Sequence, residues 1–481
     1  MDVHIRLDGQ RDLGGEIYRQ LRSAIRDGLL RTGERLPPSR ELARRLNVAR
    51  MTVTTAYERL VGEGYATSRI GSGTFVGPTI AIGGPSQTKV RARGRLRPRP
   101  VWATVRSTDP AFARPAPFDF RSGIPDVSLF PHKAWRRLVV SELRRGEARA
   151  ATYGEPQGHR ELREAITRHI AVSRGVEASA DDVTVTNGTQ QALDIVVRLL
   201  LAPGDRVAVE APGYLPPRML FRSAGLRVTG VPVDESGLVV DDLPEDARLV
   251  YATPSHQYPL GVSMSISRRL GLLAWAQRHD AAIVEDDYDS EFRYADRPVE
   301  SLHALDSRGR VIYVGSFSKT MLPTLRLGFL VTPPALRSAV RLAKFVADWH
   351  TELPLQAALA RFIEDGDFAR HLRRMRTRYW ARHESIKTIL ARDFTDLFGV
   401  VPSVTGLHLT VISRSLSARR LAAAVRGASA LGVEAQDLVR FAVEGLKAPT
   451  GLVLGYGAIP TERIADGLRI LRQQLDAATR S

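Results

Sequence analysis

The sequence predicts a two-part chain: an N-terminal winged helix-turn-helix, mostly α with a β wing, and a large α/β domain that ends in a smaller α+β lobe. Three observations carry that expectation. Two short helical stretches precede a hairpin tipped by Gly-Ser-Gly near the start. From Phe118 onward, strand-like apolar runs alternate with helical ones, the pattern of a mostly parallel sheet covered by helices. Between the two lies a stretch rich in Pro, Gly and Arg. At 481 residues two or three domains are expected, and 43% hydrophobic with 25% charged residues is a globular balance that can bury a sizeable core.

Taken in order, Ile17, Leu21, Ala24 and Ile25 recur at helical spacing and predict a helix reaching about Asp27, with Gly28 and Gly33 bracketing a turn. In PPSRELARRLNVARMTVTTAYERLVGEGY, Ser39 is expected to cap a helix whose inner face is Leu42, Ala43 and Leu46. Asn47, Val48 and Ala49 form a tight turn. A third helix follows from about Arg50, with Val53, Ala56, Tyr57, Leu60 and Val61 inward and Thr52, Thr54, Thr55 and Arg59 on the other faces. The pair is a helix-turn-helix. Residues 65–76 then read as a β-hairpin whose Gly71-Ser72-Gly73 tip gives it the shape of a wing.

The charge distribution supports a polyanionic partner. The formal net charge is +17; residues 1–117 hold 21 Lys and Arg against 10 Asp and Glu, and the other 364 hold 48 against 42. The excess therefore sits with the helix-turn-helix. Short hydroxyl side chains allow close approach, and Arg40, Arg44 and Arg50 can reach phosphates or guanine edges, so double-stranded DNA is the expected partner. Residues 10–77 resemble the winged helix-turn-helix of the GntR family of bacterial transcription regulators, through RLPPSRELARRLNVARMTVTTAYERL and GYATSRIGSGTFV. That resemblance implies DNA contacts from Arg40, Arg50, Thr52 and Thr54, with Ser72 and Gly73 at the wing tip; Thr55 shares their face. Residues 78–117, with Lys89, Arg91, Arg93, Arg95, Arg97 and Arg99 among Gly and Pro, read as a basic flexible linker.

The absence of cysteine excludes disulfides, thiolate metal sites and cysteine nucleophiles, and no metal is expected. The opening MDVHIRLDGQRDLGG lacks the apolar core of a signal peptide, and no run of about eighteen apolar residues occurs. A cytoplasmic protein with no membrane contact is the expectation.

Within 118–481, divided at about 344 into a large and a small lobe, candidate strands end at Val185, Val209, Ala252, Val284 and Val314, and another begins near Arg326. Helical stretches such as Gln190–Leu200 and Ser267–His279 lie between several of them. RVIYVGSFSKTMLPTLRLGFL, residues 310–330, gives a buried strand followed by Ser316, Ser318 and Lys319 at its carboxyl end, where open α/β sheets place ligands. Lys319 can form an imine with an aldehyde, and Ser316, Ser318 and Arg326 suit a phosphate. That chemistry is what pyridoxal 5'-phosphate requires. Gly188, Thr189 and Gln190 stand at a helix start, where free amides favour a phosphate. Asp286 can keep a pyridinium nitrogen protonated, Tyr288 can bond a ring oxygen, and Tyr214 can stack on a flat ring.

These residues resemble the fold-type I aminotransferases over essentially 118–481. The resemblance implies Lys319 as the Schiff-base lysine, Asp286 and Tyr288 as partners of the ring nitrogen and ring oxygen, and Tyr214 stacked on the ring. Arg326, Ser316, Ser318, Thr189 and Gln190 would hold the phosphate. TYGEPQGHRELREAI implies that Tyr153 reaches a neighbouring subunit's phosphate, and so a homodimer. A GntR-type reader fused to this domain is the arrangement of the MocR subfamily of regulators.

Two departures bear on turnover. Where aminotransferases usually carry Asn-Pro-x-Gly, this chain has HQYPLG, with Tyr258 in place of the asparagine and His256 as the expected compensation; GLVLGYGAI lacks the arginine that commonly clamps a substrate carboxylate. The expected function is thus a regulator in which Lys319 senses rather than turns over. Its effector is pyridoxal phosphate itself, for control of vitamin B6 synthesis, or a small amine or amino acid. The rival is an aminotransferase with a basic N-terminal extension.

Overall fold

The computed structural model describes residues 5–7, 12–69, 71–77, 97–105, 116–145, 152–294 and 300–480, in two compact units, Met1–Pro98 and Arg99–Ser481. The first contains α1 (Leu13–Arg26), α2 (Ser39–Leu46) and α3 (Arg50–Gly62). Their inward stripes, Ile17, Leu21 and Ile25 with Leu42 and with Val53, Ala56 and Leu60, close one small core. Each buried Val, Leu or Ile among them contributes roughly 1.5–3 kcal/mol. Asn47 ends α2 in the left-handed region, φ 53°, which turns the chain directly into α3. Strands β1 (Ala66–Arg69) and β2 (Gly73–Val76) pair antiparallel, Arg69 opposite Gly73, and form the expected wing.

Two details differ from expectation. Ser39 is the first helical residue and not the cap, because Pro38 already has the extended φ of −55° and ψ of 135° from which the helix begins. Val61 lies at the edge of the α3 stripe in its last turn and is 36% exposed. Residues 78–96 and 106–115 of the expected linker lie outside the described residues. Within its remainder, α4 (Val101–Thr104) is helical and packs on α8, given below.

The second unit opens with β3 (Phe118–Asp119), α5 (His132–Arg145) and α6 (Arg160–Arg174), then runs β4 (Val183–Thr186), α7 (Thr189–Leu200), β5 (Arg206–Ala211), α8 (Leu215–Ser223), β6 (Arg227–Asp234), β7 (Gly237–Leu238), β8 (Ala247–Ala252), α9 (Ile266–Arg278) and β9 (Ala282–Asp287). α10 (Leu302–Leu305), β10 (Val311–Ser316) and β11 (Gly328–Val331) complete an eight-stranded sheet in the order β4-β11-β10-β9-β8-β5-β6-β7. Its centre, β10-β9-β8-β5-β6, is parallel, and β10, β9, β8 and β5 are buried almost throughout, as strands covered on both faces are. Pairing of Val314 with Asp286 and Gly315 with Asp287 carries the ladder beyond the apolar runs, so Asp286 lies inside β9 and Ser316 inside β10, not in the loops beyond them. β11 starts at Gly328 because Arg326, at φ 53°, breaks the extended chain.

α11 (Arg337–Asp348), α12 (Leu353–Glu364) and α13 (Asp367–Asp393) lead into the smaller lobe of β12 (Phe398–Val400), β13 (His408–Ser413), α14 (Ala418–Ala430), β14 (Val433–Glu434), β15 (Gln436–Asp437), β16 (Gly451–Gly455) and α15 (Ile464–Arg480). Strands β12-β13-β16-β15 form its sheet. β3 pairs with β14, and Phe120 is buried in the same core as Leu468, so the unit's first strand belongs to the smaller lobe. No helix among the described residues is long and apolar enough to cross a membrane.

Candidate functional site

At the carboxyl ends of the central strands is a cavity of about 690 Å³, lined on one side by Thr189, Gln190, Tyr214, Asp286, Ser316, Ser318, Lys319 and Arg326. The sequence expected these residues in one place, and the fold brings them there. Lys319 Nζ donates to the Gly123 carbonyl at 2.7 Å. Burial holds its ammonium below the ordinary lysine range, against the opposing pull of Asp289 and Asp286. A lysine so disposed has more of the neutral amine that attacks an aldehyde.

Asp286 is fixed from below by Tyr251, whose hydroxyl donates to Oδ2 at 2.5 Å. Burial pushes its carboxyl up to about 7, with Tyr251 and Lys319 opposing. Its other oxygen, Oδ1, is buried with no hydrogen-bond partner among the described residues. A buried, unpaired acceptor costs roughly 1–3 kcal/mol, so this position calls for a donor, and a protonated ring nitrogen is one.

The phosphate end is equally defined. Gly188, at φ 77°, caps α7, and a Cβ there would lie 2.7 Å from Arg326 Nη2, so only glycine admits the guanidinium at the helix start. Arg326 donates to the Asn187 carbonyl at 2.9 Å and forms no carboxylate ion pair among the described residues. Ser318 N donates to Ser316 Oγ, which donates to Ser318 Oγ at 3.0 Å. Two hydroxyls, one unpaired guanidinium and a helix N-terminus make an anion cradle. The donor set and the orphaned Asp286 oxygen both fit pyridoxal phosphate.

Other expected residues fall elsewhere. Tyr288 lines the cavity, but its hydroxyl proton goes to the His256 carbonyl at 2.9 Å. His256 stands behind it and not on the cavity wall, its Nδ1 3.1 Å from both Asp289 oxygens. His256, Asp289 and His408 come within 4.8 Å of one another, yet His408 Nε2 is 3.0 Å from the Pro259 carbonyl, and the group reads as hydrogen-bonded support for Tyr288. Tyr153 lies away from the cavity, 75% exposed, its ring 4.2 Å from that of Trp349.

Sequence reasoning missed Tyr251, Asp289, Gly123, Gln436 and Arg440. For Tyr251 a signal existed: it is the aromatic with a polar tip near the end of the apolar run ARLVYA, one strand from Asp286.

In the smaller unit Arg40, Arg44, Arg50, Thr55 and Ser72 are exposed, while Thr52, Thr54 and Gly73 are half-buried. Thr54 donates to the Arg50 carbonyl at 3.0 Å, and Arg50 Nε reaches Ser39 Oγ at 3.4 Å. Met51, 67% exposed on α3, was not anticipated.

A lysine-bearing phosphate cavity of this geometry, in one chain with a winged helix-turn-helix, defines a pyridoxal-phosphate-dependent regulator that binds DNA. Known proteins agree. The bacterial regulatory protein family gntR matches residues 13–76, and the aminotransferase class I and II family matches 123–443. The probable rhizopine catabolism regulatory protein MocR of Rhizobium meliloti is 37% identical over 95% of this chain and 92% of its own. The pyridoxine biosynthesis transcriptional regulator PdxR of Corynebacterium glutamicum is 33% identical over 78% of each. Kynurenine aminotransferase of Pyrococcus horikoshii, solved with PMP, superposes with a TM-score of 0.68 at 27% identity, covering 80% of this chain and 95% of that one. The chain belongs to the MocR-type regulators, GntR-family DNA readers joined to an aminotransferase class I and II domain.

Proposed function

We propose that the chain acts in the cytoplasm as a homodimer whose aminotransferase-like domain senses an effector through Lys319 and passes the result to the DNA readers. The cavity in which Lys319, Asp286 and Arg326 converge carries this reading. Bound pyridoxal phosphate supplies an aldehyde that primary amines can engage, on a ring that withdraws electrons. Lys319 holds the cofactor, Asp286 keeps the ring nitrogen protonated through Oδ1, and Tyr214 covers the ring. Arg326, Ser316, Ser318 and the Gly188-Thr189-Gln190 turn hold the phosphate. Tyr288, braced by His256, stands beside the ring oxygen, and Tyr153 reaches toward the partner subunit. Arg40, Arg44, Arg50, Thr52, Thr54 and Thr55, with Ser72 and Gly73 of the wing, meet the operator. The effector is pyridoxal phosphate or an amino compound; the relatives named for pyridoxine biosynthesis and rhizopine catabolism support one class each. An effector shifts regulation only through unequal affinity for the two arrangements of the dimer.

Footprinting of the DNA upstream of the protein's own gene, with and without pyridoxal phosphate, tests the proposal. Lys319→Ala is expected to keep the footprint and lose its response to the cofactor. A variant that responds as the wild type does would refute sensing at Lys319. Rapid turnover of an amino acid and keto acid pair, with no footprint, would favour an aminotransferase with a basic extension.

A further inference from the structure

The start of α7 departs from the usual capping pattern in a way that suits an anion. With Gly188 as the N-cap, Gln191 is the third residue of the helix, the position from which a Gln or Glu side chain in a capping box reaches back to the cap's own amide. Here Gln191 Oε1 accepts instead from the amide of Asn187, one residue earlier, at 2.7 Å. The amides of Gly188, Thr189 and Gln190 are left with no hydrogen bond among the described residues, and Thr189 and Gln190 line the cavity. The carbonyl of the same Asn187 accepts from Arg326 at 2.9 Å. Gln191 therefore fixes the residue on which the guanidinium rests.

Gln191 is itself held from the far side. With Oε1 accepting, its Nε2 is the donor, and it donates to Asp348 Oδ2 at 2.7 Å, at the end of α11. Asp348 Oδ1 accepts in turn from Lys344 Nζ at 2.5 Å, and Lys344 also reaches Thr351 Oγ1 at 3.2 Å. Lys344 is completely buried, and burial lowers its pKa, with Asp348 and Glu352 opposing. A buried ammonium stripped of its carboxylate is strongly penalised, so Asp348 is not free to turn to another partner. Thr351 is anchored as well: its carbonyl accepts from Gln356 Nε2 at 2.9 Å, and Gln356 Oε1 accepts from His159 N at 2.7 Å. An unbroken run of bonds, from Lys344 through Asp348, Gln191 and Asn187 to Arg326, thus ties a charge pair on α11 to the phosphate cradle. Gln191, Asp348 and Lys344 are not among the residues that line the cavity.

Resting on the cofactor assignment above, we propose that Gln191, braced by Asp348 and Lys344, is a positioning residue for the cofactor's phosphate. It holds Asn187 so that Arg326 points into the cradle, and it leaves the three amides at the helix start free for the anion. It touches neither the ring nor the aldehyde. The preference for pyridoxal phosphate over pyridoxal therefore depends on a side chain outside the cavity, through preorganisation of the groups inside it.

The test compares two probes, pyridoxal phosphate and pyridoxal, which share ring and aldehyde and differ in the phosphate. Each is titrated into full-length protein freed of cofactor and followed by the visible absorbance that depends on Lys319. Gln191→Met, which keeps the side chain's length and loses both bonds, is expected to weaken pyridoxal phosphate about 10- to 100-fold, the scale of one charge-assisted hydrogen bond, and pyridoxal by less than about 2-fold. Asp348→Asn leaves one acceptor for Lys344 and Gln191 to share. It should give a smaller loss with the same selectivity for the phosphate, and it carries the test if Gln191→Met does not fold. In an Arg326→Ala background Gln191→Met should cost little more, because the group through which it acts is gone. Equal losses for both probes, or no loss for either, would overturn the positioning role and leave the cofactor assignment standing. Full additivity with Arg326→Ala would overturn the route through the guanidinium. A wild-type protein with no Lys319-dependent absorbance for either probe would overturn the cofactor assignment and this role with it.

Discussion

Asp286 concentrates the chemistry of the site because the fold stabilises it on one oxygen and leaves the other bare. Burial raises its carboxyl from 3.8 to about 7, so between those values the folded chain keeps a proton that the unfolded chain has released. Its contribution to stability is therefore present below about pH 4 and is lost as pH rises toward 7. In cofactor-free protein, Asp286→Asn removes that titration. The variant's unfolding free energy should exceed the wild type's by an amount that grows from pH 5 to pH 7.5, on the order of a few kcal/mol at the upper end, and its melting temperature should rise with it. A difference independent of pH would show that Asp286 is not charged at a cost. In the cofactor-loaded protein the order should reverse, since asparagine cannot hold the ring nitrogen protonated. At this scale the sequence was legible where chemistry is local: Lys319, Ser316, Ser318, Arg326 and Asp286 could be named from strand ends alone. It was silent on Tyr251 and Gln191, whose roles arise from pairing with residues 35 and 157 positions away.

Among the elements, α3 and the wing followed from periodicity and turn chemistry, because a 3.6-residue stripe and a Gly-Ser-Gly tip are statements about neighbours in sequence. β3 did not, since two residues that pair with β14 more than three hundred positions later leave no local pattern. The ends of β9 and β10 were placed too early for a related reason: ladder partners, not hydrophobicity, decide how far a central strand extends. On α3 the exposed Arg50 sits in the first turn with its side chain toward Ser39 at the start of α2, which suits a phosphate contact more than a base contact. Arg50→Ala should weaken DNA binding by a similar factor on every sequence and lower the salt-dependence slope by about 0.9. Thr55→Val, on the exposed face, should instead alter preference among operator variants. Fluorescence anisotropy at several salt concentrations distinguishes the two; a sequence-selective loss for Arg50→Ala would reassign it to base readout.

For the whole molecule, the proposed dimer explains an apolar surface that a single chain leaves uncovered. Leu342, Phe345, Val346 and Trp349 lie on or just beyond α11, and Tyr153 and Pro156 join several of them around a shared depression. Val346 is 68% exposed, and a contiguous patch of this kind marks an association surface. Tyr153 lies within it, beside Trp349, which is where a residue that serves a partner's cavity has to be. If a symmetric pair buries this face, two DNA readers are held in one assembly and bind an operator of two half-sites far more tightly than either would alone. Replacing Leu342 and Val346 together by Asp places charges at the patch without touching the cavity. Sedimentation should then show a monomer, operator affinity should fall by more than about 100-fold, and affinity for an isolated half-site should be retained. Pyridoxal phosphate binding should weaken as well, since each cavity loses the partner's Tyr153. A variant that still sediments as a dimer and holds the operator would place the interface on another face.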